Sequence, residues 1–300
     1  MAVVAGLAAA SPATAQLPCN GDPSLCDRTL DRVVLPATHN SMSNAAGGWQ
    51  IPNQQVGIPA QLSAGVRGFL IDIYYAHPGA DGKLVTDTTR QPGDQLYLCH
   101  VACSLGADSL YEQLRGIKRF LRGHPRNVLL FINEDYTRPE DFAAEVRRSG
   151  LRRHVYGGEL GTGHWPTLRK LIRLRRQVVM LSQGDTGSVG WYHNGYAGLL
   201  QETPYNWNTP NLLIDQSLWP ASCHANRGGT TGDLFLMNHW SPPVAPKPAT
   251  SSFVNATNVL VGRAHVCRFI RGRMPTLIAV DMFQSGGLFE AVRRLNAELN

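Results

Sequence analysis

Short apolar runs recur along the chain and alternate with segments whose apolar residues repeat every three or four positions. Several runs are almost continuously apolar, which is typical of strands buried on both faces. The predicted strands span residues 33–38, 66–75, 96–100, 128–134, 177–182, 234–238 and 276–283. Helical spacing predicts helices at residues 110–121, 139–146, 168–174 and 288–299.

This alternation of strands and helices predicts a parallel α/β fold. We expect one TIM-like (β/α) barrel, distorted or incomplete, that occupies residues 16–300 as a single domain. In such barrels the functional side chains lie at the carboxyl ends of the strands. We therefore expect the functional side chains of this protein at those ends.

Polar residues that are suited to catalysis or metal binding lie at the ends of the predicted strands. They are His39, Asn40, Asp72, His100, Glu134 and Asp281. One histidine at a strand end is more often structural than catalytic. A carboxylate in an apolar strand is costly unless it is paired or metal-bound, however. Several such residues at several strand ends favour an active site.

Composition narrows the class of protein. Of 300 residues, 43% are hydrophobic and 17% are charged, which suits a folded domain rather than a disordered or coiled-coil chain. The formal net charge of +6 allows nucleic acid, an anionic membrane surface or an acidic substrate as partner. No nucleic-acid-binding motif is present, so we expect no nucleic-acid partner. Ordinary surface charge remains the alternative explanation.

The first residues predict export. Residues 1–15 form a short apolar run that ends in the cleavage pattern Ala13-Thr14-Ala15, as in a signal peptide. The usual positive residues before the run are missing, which is consistent with a truncated start. No segment reaches the roughly 18 apolar residues of a membrane-spanning helix. We therefore expect a secreted protein.

Six cysteines fit an oxidising compartment. Proximity in the sequence favours the pairs Cys19–Cys26 and Cys99–Cys103, and elimination leaves Cys223–Cys267. A metal site is the weaker interpretation, because no CxxC pair or matching set of cysteines and histidines is present.

The motifs at the strand ends resemble a known family. They are LPATHNS at 35–41, GVRGFLIDIYY at 65–75, LYLCH at 96–100, NVLLFINEDY at 127–136 and PTLIAVDMF at 275–283. In this order they resemble the X-domain of phosphatidylinositol-specific phospholipase C, and more closely the secreted phospholipase C-like phosphodiesterases. The resemblance runs from about residue 30 to 290. It implies an enzyme that cleaves a phospholipid-type phosphodiester.

The resemblance also implies roles for three residues. His39 matches the general base that takes a proton from a substrate hydroxyl next to the phosphodiester, so that this oxygen attacks phosphorus. His100 matches the general acid that protonates the departing oxygen, and Asp281 matches the aspartate that fixes the tautomer of the first histidine. Imidazoles suit both roles because histidine ordinarily titrates near neutral pH.

A metal ion is implied as well. Asn40, Asp72 and Glu134 match calcium-binding positions of the metal-dependent branch, and such oxygen ligands suit Ca²⁺ or Mg²⁺. The cation would offset negative charge on the phosphoryl oxygens. Two positions depart from the family pattern: Tyr74 replaces the arginine of the metal-free branch, and Leu70 replaces a glutamate of the metal-dependent branch.

Other functions stay open on the sequence. A metal-dependent glycerophosphodiesterase or phospholipase D-like hydrolase would also use histidines and carboxylates, and a secreted binding protein could keep the fold without activity. The expected partners are a phospholipid or another phosphodiester and, transiently, an anionic membrane surface; we expect a monomer. Arg67 could contact phosphate, but its place early in its strand favours an ion pair at the bottom of the barrel.

Overall fold

The structure is a computed structural model and describes residues 17–206, 208–241 and 248–299. The predicted signal peptide at residues 1–15 lies outside this part of the chain. Eleven described strands form one sheet. They are β1 (Leu35–Thr38), β2 (Gly68–Pro78), β3 (Leu84–Asp87), β4 (Gln95–Cys99), β5 (Ala107–Ser109), β6 (Leu129–Asp135), β7 (Val178–Ser182), β8 (His193–Asn194), β9 (Leu200–Glu202), β10 (Leu234–His239) and β11 (Leu277–Val280).

Parallel strands curl into an incomplete barrel. They are hydrogen-bonded in the order β8-β7-β6-β2-β1-β11-β10-β9, and each neighbouring pair is parallel. In the described part of the chain the edge strands β8 and β9 do not pair with each other, so the barrel stays open there. The predicted TIM-like barrel is confirmed, and so is its incompleteness.

Gly68 permits the close approach of the strands around β1. It lies opposite Ala37 in the parallel register. A Cβ atom at Gly68 would lie 2.7 Å from the Cβ of Ala37 and 2.6 Å from a methyl group of Leu277. Both distances are shorter than van der Waals contact, so any side chain here would push β2 away from β1 and β11.

The second half of β2 leaves the barrel and builds an antiparallel extension. Residues 73–76 pair with β4, residues 75–78 pair with β3, and β5 adds to β4. The prediction of a parallel barrel strand at residues 96–100 is therefore wrong in direction. The connections 79–83 and 88–94 are short, and a parallel crossover needs about a dozen residues or more.

Helices pack on the outside of the sheet. In the described residues they are α1 (Ile58–Ala64), α2 (Leu110–Gly123), α3 (Pro139–Arg148), α4 (Leu168–Arg173), α5 (Pro210–Ile214), α6 (Trp219–Ser222), α7 (Pro248–Val254), α8 (Thr257–Arg271) and α9 (Leu288–Ala297). The four predicted helices are confirmed as α2, α3, α4 and α9. The pattern misses α8, because two buried arginines, Arg263 and Arg271, interrupt its apolar face. None of the described helices is long and apolar enough to cross a membrane.

Side chains alternate along each strand, so the two faces of the sheet bury two separate apolar clusters. One cluster fills the barrel and includes Leu35, Ala37, Leu70, Leu130, Ile132, Leu200, Leu236, Leu277 and Ala279. The other lies between the sheet and the helices and includes Phe69, Ile71, Phe131, Ile278, Leu114, Ile117 and Leu260. The strand parity thus tells which residues point into the barrel.

Three disulfides cross-link the fold. Cys19–Cys26, Cys99–Cys103 and Cys223–Cys267 are bonded, with Cα atoms 5.1, 4.9 and 4.9 Å apart. The three predicted pairings are therefore confirmed. The second disulfide closes a short loop that contains His100.

Candidate active site

Inward-facing positions change from apolar to polar at the carboxyl ends of the parallel strands. Continuing the inward parity gives His39 after β1, Asp72 in β2, Glu134 in β6, Glu202 in β9, Asn238 in β10 and Asp281 after β11. The carboxyl ends of parallel strands lie on one edge of the sheet. The structure therefore collects these side chains at one opening, which we call the barrel mouth.

The ring of His39 is held by a carboxylate and by an indole. Nδ1 lies 3.0 Å from Oδ1 of Asp281. Trp240 stacks on the ring, with 3.8 Å between centroids and 4° between planes. A carboxylate can only accept hydrogen bonds, so Nδ1 carries the proton and Nε2 is left as an acceptor. A general base needs such a free nitrogen.

Asn53, in the loop after β1, connects two parts of the mouth. Its Nδ2 lies 3.3 Å from both carboxylate oxygens of Asp281. Its Oδ1 accepts a hydrogen bond of 3.3 Å from Asn40, whose Nδ2 also lies 3.4 Å from Nε2 of His100. A chain of polar contacts therefore runs from His39 through Asp281, Asn53 and Asn40 to His100.

His100 reaches the mouth from the antiparallel extension, at the end of β4. Its Nδ1 lies 3.2 Å from Oδ2 of Asp72. Burial raises the pKa of Asp72, and the charge of Glu134 adds to this effect, while the hydrogen bond with His100 opposes it. Burial would lower the pKa of His100, but the hydrogen bond with Asp72 and the surrounding carboxylates raise it above the ordinary value. A raised pKa favours the protonated imidazole that a general acid needs.

Glu134 lies beside Asp72 in the register of β2 and β6. The hydroxyl of Tyr136 donates a hydrogen bond to Glu134, and Tyr136 stacks on Tyr74 with 4.3 Å between ring centroids. Burial raises the pKa of Tyr74 to about 12. Tyr74 is therefore a neutral phenol and supplies none of the positive charge that an arginine at this position would carry.

Asp72 and Glu134 face the mouth from neighbouring strands, as the ligands of a divalent cation would. The burial of Asp72 beside Glu134 concentrates negative charge, which a cation would compensate. Asn40 turns its amide nitrogen toward Asn53 and His100, so its side-chain oxygen is left for a metal ion. By donor type the three predicted ligands fit Ca²⁺ or Mg²⁺, which prefer oxygen.

A guanidinium group that the sequence does not point to lies at the same mouth. Nε of Arg227 donates a hydrogen bond of 2.7 Å to the fully buried Glu202. Its guanidinium carbon lies 5.2 Å from the ring centroid of Tyr205, which lies 5.8 Å from that of Trp240. Burial opposes the charge, but the hydrogen bond with Glu202 raises the pKa of Arg227. With 36% of its side chain exposed, Arg227 is a permanent cation open to solvent.

Arg67 lies at the opposite end of the barrel, as expected from its place before β2. Its guanidinium donates to the backbone oxygens of Leu62 and Val66 at 2.8 and 2.7 Å and to Oδ1 of Asn127 at 2.8 Å. Burial lowers its pKa to about 10. The expected ion pair is wrong, since its partners are carbonyl and amide oxygens. From this end Arg67 does not reach a phosphate at the mouth.

Some residues that line the mouth are not predicted from the sequence. Glu202 follows Leu200 at a spacing of two, so the alternation of inward positions could have identified it. Trp240 and Asn53 lie in loops, where periodicity does not show which side chains face the mouth.

Comparisons with known sequences cover almost the whole chain. The PI-PLC X family model matches residues 25–296. A PI-PLC X domain-containing protein of Arthroderma benhamiae is 28% identical, over 96% of this chain and 92% of the relative. A second protein of that organism, called an uncharacterized secreted protein, is 27% identical, over 94% of this chain and 64% of the relative.

A comparison with solved structures addresses the fold. The phosphatidylinositol-specific phospholipase C of Listeria monocytogenes superposes with a TM-score of 0.54, covering 92% of this chain and 97% of that chain. The two sequences are 15% identical in this superposition. The likeness therefore shows a common barrel fold.

Proposed function

The chain belongs to the PI-PLC X family, and on this premise we propose that it is a phosphodiesterase that cleaves phosphatidylinositol or a related phospholipid. One observation carries the proposal: two imidazoles at one barrel mouth each hold a carboxylate at Nδ1. The pairs are His39 with Asp281 and His100 with Asp72. Each Nε2 points away from its carboxylate, so the two rings can supply a base and an acid together. The amide nitrogen of Asn40, which lies 3.4 Å from Nε2 of His100, has to move aside when that nitrogen carries the proton of the acid.

In the proposed reaction a hydroxyl group of the substrate attacks the neighbouring phosphodiester. Nε2 of His39 takes the hydroxyl proton while the oxygen forms a bond to phosphorus. The bond from phosphorus to the lipid oxygen breaks, and Nε2 of His100 gives its proton to that oxygen. The products are a cyclic phosphodiester and a lipid alcohol.

The carboxylates and the indole position the two imidazoles. Asp281 keeps the proton of His39 on Nδ1, and Trp240 fixes the plane of the ring. The raised pKa of His100 keeps the acid protonated before the reaction. The positions of both nitrogens are thus set before the substrate arrives, which is how enzymes avoid reorganisation during the chemical step.

Positive charge at the mouth would stabilise the phosphorane. We propose that Asp72, Glu134 and the side-chain oxygen of Asn40 hold Ca²⁺ or Mg²⁺, which would supply that charge next to the phosphoryl oxygens. Arg227 would add a fixed charge at the same mouth for an anionic substrate.

We propose further that the protein is secreted and contacts an anionic membrane surface transiently. Three disulfides support an oxidising compartment. A relative is called a secreted protein, and the net charge of +6 favours attraction to anionic lipid.

Phosphorus NMR of a phosphatidylinositol digest tests the proposed reaction. We expect the resonance of a cyclic phosphodiester to appear first, and we expect His39→Ala and His100→Ala each to slow its appearance by about 10²–10⁴-fold. An acyclic first product would mean that water is the nucleophile, as in a glycerophosphodiesterase or phospholipase D-like hydrolase. The absence of any product would favour the alternative of a secreted binding protein without catalytic activity.

The same digest in EDTA tests the metal ion. We expect activity to be lost in EDTA and restored by Ca²⁺ or Mg²⁺. Full activity in EDTA would contradict the metal proposal and leave the protein's own cations to stabilise the phosphorane. Arg227→Gln would then be the first variant to measure, because Arg227 lies at the mouth and Arg67 does not.

A further inference from the structure

Another set of metal-binding side chains lies in the antiparallel extension, outside the barrel. His77 is in β2, Asp87 ends β3, and Asp94 directly precedes β4. β2 pairs with β3 through residues 75–78 and with β4 through residues 73–76. The pairing therefore holds together the three segments that carry these side chains, which we call the extension cluster.

The donor atoms of the extension cluster converge. Nδ1 of His77 lies 2.9 Å from Oδ2 of Asp87 and 3.0 Å from Oδ1 of Asp94. Among the residues that the structure describes, this is the one group of three His, Cys, Asp or Glu side chains whose donor atoms all lie within 4.8 Å. Ligand atoms around a tetrahedral Zn²⁺ ion lie about 3.3 Å apart, since the bonds are about 2.0 Å long. Only small shifts would admit the ion.

One carboxylate oxygen of the extension cluster is buried without a hydrogen-bond donor. The side chain of Asp94 is fully buried, and its Oδ2 accepts a hydrogen bond of 2.6 Å from the backbone nitrogen of Gln91. Oδ2 of Asp87 is a buried atom that accepts no hydrogen bond. A single Nδ1–H group of His77 can be directed at only one of the two carboxylates at a time. A buried carboxylate oxygen without a donor is costly, and a bound cation would remove that cost.

We propose that His77, Asp87 and Asp94 bind a divalent transition-metal ion of the Zn²⁺ type. A neutral imidazole and two carboxylates form a mixed nitrogen and oxygen donor set, which suits Zn²⁺ better than Ca²⁺. The site is separate from Asp72 and Glu134, and it does not depend on the proposed reaction.

An ion in the extension cluster would stabilise the segment that carries His100. Asp94 directly precedes β4, and His100 directly follows it. Thr86, the neighbour of Asp87, accepts a hydrogen bond of 2.7 Å from the backbone nitrogen of Cys103. Both sides of the loop around His100 are therefore tied to residues next to the proposed ligands.

Calorimetric titration of EDTA-treated, dialysed protein with Zn²⁺ tests the proposal. We expect the wild type to bind one ion tightly, and we expect His77→Ala and Asp94→Asn each to weaken binding by about 100-fold or more. His164→Ala is a matched control, because His164 faces a single carboxylate, that of Glu159, at 3.3 Å. This variant should bind Zn²⁺ as the wild type does.

Two further variants make the outcome decisive. Asp72→Asn should keep wild-type binding; loss of the ion in Asp72→Asn but not in His77→Ala would place it at the barrel mouth and overturn the proposal. Asp87→Asn, which keeps the shape of the side chain, serves in place of His77→Ala if that variant does not fold. Zn²⁺ should raise the Tm of the wild type and leave that of Asp87→Asn unchanged, and an equal rise in both would contradict the proposed site.

Discussion

At the scale of single residues, the chemistry of the barrel mouth depends on which nitrogen of each imidazole is already engaged. Asp281 takes Nδ1 of His39, and Asp72 takes Nδ1 of His100. The two carboxylates differ in setting: Asp281 also accepts from Asn53, whereas Asp72 lies beside another carboxylate. In the proposed reaction this difference suits the imidazole of His39 to the role of base and that of His100 to the role of acid.

Asp281→Asn tests the orientation of His39. The amide keeps the shape of the side chain but not its negative charge, and its NH₂ group can face Nδ1 and place the proton on Nε2. We expect kcat to fall by about 10²-fold or more, because a general base contributes about that much or more. Single-turnover kinetics measures the effect.

The control for this substitution is Asp233→Asn. Asp233 is also buried, but it precedes β10 at the opposite end of the barrel, where it accepts from Trp165. Equal losses of kcat in both variants would show that Asp281 acts only through stability.

Asp72→Asn tests the protonation of His100. Loss of the hydrogen-bonded carboxylate leaves burial, which lowers the pKa, as the main influence on His100. The acid then loses its proton at lower pH, so the alkaline limb of the kcat/KM profile should move to lower pH. Glu134→Gln is the comparison, since Glu134 acts on His100 through charge alone.

Both variants remove one proposed metal ligand, so their difference reports the hydrogen bond between Asp72 and His100. Glu134→Gln should move the alkaline limb less than Asp72→Asn does. Identical profiles for the wild type and Asp72→Asn would contradict the assignment of His100 as the acid.

At the scale of elements, the long strand β2 explains how His100 enters the site. Strand β2 crosses the barrel wall and continues into the antiparallel extension, where β4 returns the chain toward Asp72. The sequence predicts both strands, but their apolar runs do not reveal direction. The short connections do contain that information, because links of this length favour hairpins over crossovers.

Element prediction fails where an element is very short or where its burial is mixed. Strands β8 and β9 have two and three residues, too few to show a period. In α8 the fully buried Arg263 donates to the backbone oxygens of Ser222 and Asn238 instead of pairing with a carboxylate. A buried arginine of this kind looks like a surface residue in the sequence.

Removal of the Cys99–Cys103 disulfide should lower kcat strongly but the free energy of unfolding only modestly. The loop it closes contains Val101, a β-branched residue with φ of 65°, which such residues rarely adopt. Loop-closure entropy predicts that its loss costs about 2 kcal/mol, against about 4 kcal/mol for the longer Cys223–Cys267 loop. Replacing Cys99 and Cys103 with serine should lower kcat strongly through His100, and urea melts give the stability of each variant.

The variant that lacks Cys223 and Cys267 is the comparison. It should be the less stable of the two but keep more activity under conditions where both are folded. The reverse order of activities would show that the short loop does not position His100.

At the scale of the whole molecule, inward-facing and outward-facing side chains alternate along the strands. This alternation allows much of the site to be predicted from the sequence. Six of the eight parallel strands bury inward-facing apolar side chains and then present a polar one at or just after the carboxyl end, as Leu70 and Asp72 do in β2. This rule predicts the barrel and most of the mouth from one sequence. It does not predict Trp240, because packing rather than periodicity places that ring on His39.

Trp240 at the mouth follows a buried histidine that affects the stability of the whole protein. Its neighbour His239 is completely buried, with Nδ1 3.0 Å from Nη1 of Arg263 and Nε2 2.9 Å from the backbone oxygen of Val254. Arginine can only donate, so Nδ1 must accept and Nε2 carries the proton. Both nitrogens of the neutral ring are thus engaged, and a second proton would face a buried cation.

The neutral state of His239 makes stability depend on pH. Burial and the charge of Arg263 lower the pKa of His239 to about 3, whereas an unfolded histidine has a pKa of about 6.5. At pH values between these two pKa values, the side chain of His239 binds a proton in the unfolded chain but not in the folded protein. As pH falls below about 6.5, His239 therefore lowers the free energy of unfolding by up to about 1.4 kcal/mol per pH unit. Asp135, whose pKa burial raises to about 7, acts in the opposite direction over the same range. Urea denaturation of the wild type and of His239→Gln between about pH 6.5 and 4.5 isolates the contribution of His239, because the other groups that titrate in this range are common to both proteins. His239→Gln, which offers an acceptor and a donor but does not titrate, should lose the destabilisation by acid that His239 contributes, while the exposed His124→Gln should keep the slope of the wild type. Equal slopes for the wild type and His239→Gln would show that another group sets the acid sensitivity of the fold.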